Sequence, residues 1–165
     1  MEVKPRKFIH AGEIFVGIKP TEITTVLGSC VAVCLFDKVE RIGAMNHYLL
    51  PLWNGNGLQT PKFGNISIPR MIENMENIGC HVHNMEAKLF GGSNIHDTKQ
   101  ESMMIGKKNV IIAKEILKQY HIPIVAEDTG PENTSRMTAL PSKSATRPLN
   151  IKRSPAMVPS AATGT

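Results

Sequence analysis

The stretch TTVLGSCVAVCLFDKVERIGAMNHYLL, Thr24–Leu50, decides the fold and holds two of the chain's three cysteines. Within it, VAVCLF (31–36) reads as a strand, and IGAMNHYLL (42–50) is a second apolar run stopped by Pro51. The polar connector between them, Asp37 to Arg41, has hairpin length. A tight turn at Lys38-Val39 places Cys30 directly opposite His47. A four-residue loop, Lys38 to Arg41, shifts the pairing by two and makes His47 diagonal to Cys30. In both registers the two side chains share a face, because strand periodicity is two. Directly opposed residues lie about 4.5–5.5 Å apart at Cβ, the scale of a thiol–imidazole contact. A bulge or an odd-length loop would break the inference.

A cysteine that does chemistry needs such company. The free thiol is mostly protonated at neutral pH, and the thiolate is the nucleophile. A neighbouring imidazole can take the proton and later return it to a leaving group. Gly28-Ser29, just before Cys30, adds to the case. Glycine permits a sharp turn that lifts the cysteine to a sheet edge and aims amides outward, as an oxyanion hole requires. A Cys and a His also meet on sheet faces through packing alone, so spacing leaves both readings open. Cys34 lies four residues beyond Cys30. In a strand that is two pleats, about 13 Å, too far for a shared metal or a disulfide. Core packing is its expected role.

Outward from this hairpin, EIFVGI (13–18) and TTVL (24–27) read as strands. Residues 52–66, rich in Gly, Asn and Pro, read as a surface loop. A helix is expected to open at Ser67-Ile68-Pro69, with Ile68, Ile72, Met75 and Ile78 inward and Gly79 at its end. EAKLFGG (86–92) is a strand running into a glycine turn, and 104–119 a second helix with Ile105, Ile112 and Ile116 inward. PIVAED (123–128), RMTAL (136–140) and PLNIKR (148–153) close the pattern as strands. The order ββββαβαβββ predicts a mixed sheet with helices packed on it, an α/β sandwich. Residues 1–153 are expected to form a single domain, and 154–165 a disordered tail.

The 165 residues suit one hydrophobic core. No apolar run approaches the ~20 residues of a membrane helix, and MEVKPRKFIHAGE lacks signal-peptide features. A cytoplasmic protein with free thiols and no membrane insertion is therefore expected. The net charge of +5 is spread along the chain without aromatic interleaving, which argues against nucleic acid and suits an acidic protein partner. Cys80-His81-Val82-His83 lacks a complete structural zinc spacing, so no metal site is expected there.

TTVLGSCVAVCLFD, GAMNHYLLP, AKLFGGSNI, IGKKNV and IPIVAED, in this order and after FIHAGEIFVGIKP, resemble the chemoreceptor glutamine deamidases of the CheD family of bacterial chemotaxis. The resemblance runs from about Phe8 to Arg153. It implies a fold related to bacterial toxin deamidases, with a papain-like site. Cys30 would be the nucleophile, His47 the general base and acid, and Thr24 the residue that orients the histidine. Gly28, Ser29 and Asn46 flank these and are candidates for shaping the site. The implied enzyme is a protein-glutamine glutaminase, a hydrolase of receptor glutamines that works through a thioester. Its implied partners are the cytoplasmic helices of chemoreceptors (methyl-accepting chemotaxis proteins) and a CheC-type phosphatase. Some members also act on receptor methyl esters. The sequence departs from the family's Gly-Gly and Gly-Arg at Thr129-Gly130, PENT and Ser135-Arg136. That departure keeps a second class open, a non-enzymatic regulator that acts by binding CheC or another signalling protein. A thiol-redox protein, the third class, requires a Cys30–Cys34 disulfide.

Overall fold

The structure is a computed structural model that describes residues 3–93, 100–129, 135–141 and 149–155. Nine strands and two long helices are placed among these residues. The strands are β1 Arg6–Phe8, β2 Ile14–Gly17, β3 Glu22–Leu27, β4 Val31–Asp37, β5 Ile42–Asn46, β6 Met85–Gly91, β7 Ile124–Thr129, β8 Ser135–Pro141 and β9 Leu149–Pro155. The helices are α1 Gly64–Glu76 and α2 Gln100–Gln119.

Two mixed sheets are present rather than one. The first has the order β2-β5-β4-β6-β7, the second β1-β3-β8-β9. The parallel pairs are β6 with β7 and β1 with β3. β4 explains the layering. All seven of its residues are buried, which a strand achieves only when both its faces are covered. Val31, Val33 and Leu35 pack under the helices with Ile68, Met71, Ile72, Met75, Ala113 and Leu117. Ala32, Cys34 and Phe36 point the other way, onto Ile23 and Leu27 of the second sheet and Ile9 just past β1. The order is therefore helices, five-stranded sheet, four-stranded sheet. The continuous apolar run VAVCLF is the mark of a strand between two layers. The second sheet escapes a sequence reading because it joins β3 to β8 across more than a hundred residues.

The hairpin takes the second of the two registers. Asp37 pairs with Ile42 and Cys34 with Met45, which leaves Lys38–Arg41 as the loop. Asp37 fixes it. Its Oδ1 accepts the amides of Val39 and Glu40 at 2.8 and 2.9 Å, and its Oδ2 accepts that of His81 at 2.9 Å. Burial pushes this carboxyl up, but the amides of Glu40, His81 and Val39 outweigh it and hold the carboxyl below its ordinary value.

Several expected boundaries move. α1 starts at Gly64, a turn before Ser67, and Pro69 lies inside it. No side chain caps this end. Backbone carbonyls do so instead, with Gly64 N donating to Leu50 O at 2.8 Å and Asn65 N to Pro51 O at 3.1 Å. Ile78, expected inward, lies past the helix and is exposed. Ser154 and Pro155 belong to β9 rather than to a tail, and residues 156–165 lie outside the described residues. So does the whole PENT segment, residues 131–134. No described helix is long and apolar enough to cross a membrane.

Candidate active site

β5 ends at Asn46, and the reason sits in that side chain. Asn46 Oδ1 accepts the Val33 amide at 2.7 Å, where a backbone carbonyl would otherwise serve. Its Nδ2 donates to Ser67 Oγ of α1 at 2.9 Å. Asn46 thus works from the helix side, under the sheet. The chain resumes pairing with β4 at Tyr48, whose N and O both bond Val31, at 3.0 and 3.1 Å. Between these points His47 turns its backbone to the other neighbour. His47 N donates to Glu13 O at 3.2 Å, and Gly12 N donates to His47 O at 2.8 Å.

The Val31–Tyr48 bridge carries the hairpin register to its end, so Cys30 is diagonal to His47 on the face toward the second sheet. Cys30, half-buried, packs on the cluster between the sheets, and His47 is buried. Diagonal neighbours stand about 7–8 Å apart, within reach of long side chains. His47 Nε2 is buried without a hydrogen-bond partner among the described residues.

The residue that meets the imidazole is Thr25, not Thr24. Thr25 Oγ1 lies 2.8 Å from His47 Nδ1 and 2.8 Å from Ile9 O. The resemblance implied Thr24 as the orienter, whereas the contact described at Nδ1 is that of Thr25. Strand alternation gives the cause. Ile23, Thr25 and Leu27 are buried against the five-stranded sheet, while Thr24 is half-buried on the opposite face, in register with Phe8 and Thr138. The phase was visible in the sequence, since Thr25 falls between two apolar residues that must point inward.

Thr25 also settles the histidine tautomer. A threonine hydroxyl has one proton to donate, and a carbonyl can only accept. Donation to Ile9 O leaves Thr25 Oγ1 to accept from His47 Nδ1–H. The imidazole then holds its other lone pair at Nε2, the unpartnered atom, as a base requires. Burial lowers the His47 pKa from 6.5, and the charge of His10 lowers it further. Burial raises the Cys30 thiol above 9.0, opposed by the cysteine's own backbone amide. Both shifts favour the uncharged forms, a thiol at Cys30 and a neutral imidazole at His47. Thr25→Val is expected to lower kcat about 100-fold with KM unchanged, whereas Thr24→Val stays within about threefold of wild type. Steady-state kinetics of both variants decide this, and a larger loss for Thr24→Val would refute the role of Thr25 and favour Thr24.

The loop Gly28–Cys30 is braced through its carbonyls. Gly92 N donates to Cys30 O and Ser93 N to Gly28 O, both at 2.9 Å. Gly91, the last residue of β6, and Gly92 take φ of 97° and 68° beside this loop. Asn109 Nδ2 donates to Ser29 O at 3.0 Å. Asn109 lies within the IGKKNV motif, but a polar residue on a helix carried no signal that it turns inward.

Cys34 is fully buried, and desolvation pushes its thiol up to about 12 against the nearby charge of Lys88. It packs in the inter-sheet core, as its distance from Cys30 suggested. His81 and His83 stack, with ring centroids 5.4 Å apart. No group of three or more His, Cys, Asp or Glu among the described residues could hold a metal ion.

The family model for CheD chemotactic sensory transduction matches residues 49–147. A probable chemoreceptor glutamine deamidase CheD of Sulfurimonas denitrificans is 52% identical over 126 residues, covering 76% of this chain and 81% of that protein. The chain belongs to the CheD family. The chemoreceptor glutamine deamidase CheD of Thermotoga maritima is 39% identical over 126 residues, 76% of this chain and 79% of that protein. The CheD match begins just after His47, so Cys30 and His47 lie outside the matched residues. Among solved structures, Bacillus licheniformis hypothetical protein YfiH superposes with a TM-score of 0.46 at 12% identity, over 73% of this chain and 50% of that one. That likeness is too loose to bear on the site.

Proposed function

We propose that the chain hydrolyses glutamine side-chain amides of chemoreceptors to glutamate, with Cys30 as nucleophile, His47 as acid and base, and Thr25 as the residue that fixes the imidazole. Membership of a family whose relatives are named chemoreceptor glutamine deamidases supports the reaction. The observation that carries the residue roles is the bare, buried Nε2 of an imidazole anchored through Nδ1, on the same face as a cysteine.

Nε2 takes the thiol proton as Cys30 Sγ attacks the carboxamide carbon. The oxygen of the tetrahedral adduct takes its negative charge toward the Cys30 amide, the group that already favours negative charge on this sulfur. The imidazolium returns its proton to the nitrogen, ammonia leaves, and a thioester remains. Water then gives a proton to Nε2 and attacks the thioester, and the departing sulfur regains that proton. No step requires a metal or organic cofactor. The arrangement is papain-like in logic, with a neutral hydroxyl as orienter. A substrate glutamine projecting from a receptor's cytoplasmic helices places the reaction in the cytoplasm.

The test is mass spectrometry of a glutamine-bearing receptor fragment incubated with the protein. Each turnover replaces NH2 by OH, and acid-quenched mixtures should carry a Cys30 adduct equal to the fragment less ammonia. An unchanged fragment, with a CheC-type phosphatase bound instead, would replace the enzyme reading by the regulatory one.

A further inference from the structure

We propose that Asn109 of α2 is a positioning residue that sets the spacing of Cys30 and His47. This rests on the thiol–imidazole reading above. Asn109 is fully buried, yet it sits on a helix that otherwise covers the sheet with apolar side chains. Its Nδ2 donates to two carbonyls from different segments, Ser29 O just before β4 at 3.0 Å and Leu49 O beyond β5 at 2.8 Å. Ser29 immediately precedes the nucleophile, and Leu49 lies two residues beyond the base. One nitrogen therefore ties together the two segments that carry the reacting groups. It does so where the β4–β5 ladder is reduced to the single Val31–Tyr48 bridge.

The helix is fixed in turn. Tyr48 Oη donates to the Asn109 backbone carbonyl. One turn earlier, Gly106 packs on the backbone of Gly92 and Ser93, where an added Cβ would meet Gly92 O at 2.9 Å and Ser93 O at 3.0 Å. Those two residues hold Cys30 O and Gly28 O. Asn109 Oδ1 has no partner among the described residues. The amide's donors are thus both engaged while its acceptor is idle, so its use here is donation. A residue selected only to fill space would gain by being apolar, because an unmet buried polar atom costs about 1–3 kcal/mol.

The experiment compares wild type, His47→Ala and Asn109→Ala in the full chain. The rate of Cys30 alkylation by iodoacetamide is followed against pH by peptide mapping, beside deamidation kinetics. Asn109→Ala is expected to move the alkylation profile toward that of His47→Ala and to lower kcat roughly 10–100-fold with KM within about twofold. Should it not fold, as judged by a cooperative urea transition, Asn109→Ser is read instead. A folded variant with the wild-type profile and kcat overturns the proposal and leaves Asn109 a packing residue. Failure of both variants to fold overturns it too, since Asn109 would then hold the fold rather than the pair. A His47→Ala profile identical to wild type overturns the pair itself. Shifted profiles in a protein that deamidates no receptor fragment would sink the reaction and keep the clamp.

Discussion

Cys30→Ala is expected to abolish deamidation, and His47→Ala to lower kcat/KM by about 10³-fold or more, both without unfolding the protein. Cys30 is half-buried at a loop whose carbonyls, not its side chain, make the structural bonds. Removing the thiol leaves Gly92 N and Asn109 Nδ2 their acceptors. His47 is buried, but its backbone bonds to Glu13 and Gly12 do not depend on the ring. Thr25 would keep Ile9 O as an acceptor, so no new buried donor is orphaned. Nε2 contributes no hydrogen bond among the described residues. Stability should therefore change by only about 1–2 kcal/mol, measured as a shift in urea midpoint. The pH profile gives the sign. A lowered imidazole pKa keeps Nε2 free below the ordinary value of 6.5, so the acid limb of kcat/KM should lie under 6.5. Stability follows the same linkage. The unfolded chain binds the proton first, so stability is lost as pH falls from 6.5 toward the folded value. A folded His47→Ala variant with full activity, or an acid limb above 6.5, would refute the assignment.

The hairpin was legible because its information is local. Asp37 to Arg41 limits the loop length, and parity alone then places Cys30 and His47 on one face. The choice between registers needed Asp37, whose carboxylate binds amides from its own turn and from His81, distant in sequence. Two adjacent threonines made the orienter ambiguous: the family pattern pointed at Thr24, and the contact to His47 Nδ1 is made by Thr25. Only the phase of β3, set by Ile23 and Leu27 against the first sheet, separates them. The start of α1 could not be read because its caps are carbonyls of Leu50 and Pro51, and any residue has a carbonyl. Asn109 is the sharper case. Its partners are backbone atoms of Ser29 and Leu49, so no pattern of side chains in either segment advertises it.

Gly91→Ala should be the most damaging single-methyl change near the site, lowering stability by about 2–4 kcal/mol and activity by more than the unfolded fraction explains. Two separate causes act there. Gly91 has φ of 97°, a backbone region that L side chains avoid. An added Cβ would also lie 2.2 Å from Cys30 O and 3.2 Å from its carbonyl carbon, which are backbone atoms that cannot rotate away. Relief requires either β6 to leave β4 at the Val31–Gly91 pair or the Cys30 loop to move. The first costs ladder bonds. The second displaces the nucleophile and strains the Gly92 N bond to Cys30 O. Gly55 provides the control, with φ of 91° but nothing within 4 Å of an added Cβ. Gly55→Ala should show the conformational cost alone, about 1–2 kcal/mol, with activity intact. The difference between the two urea midpoints then isolates the clash, and the kcat of the folded Gly91→Ala protein reports how far the thiol has moved. Equal midpoints and equal activities would mean that the Cys30 loop yields without cost, and that Gly91 has no part in holding the nucleophile.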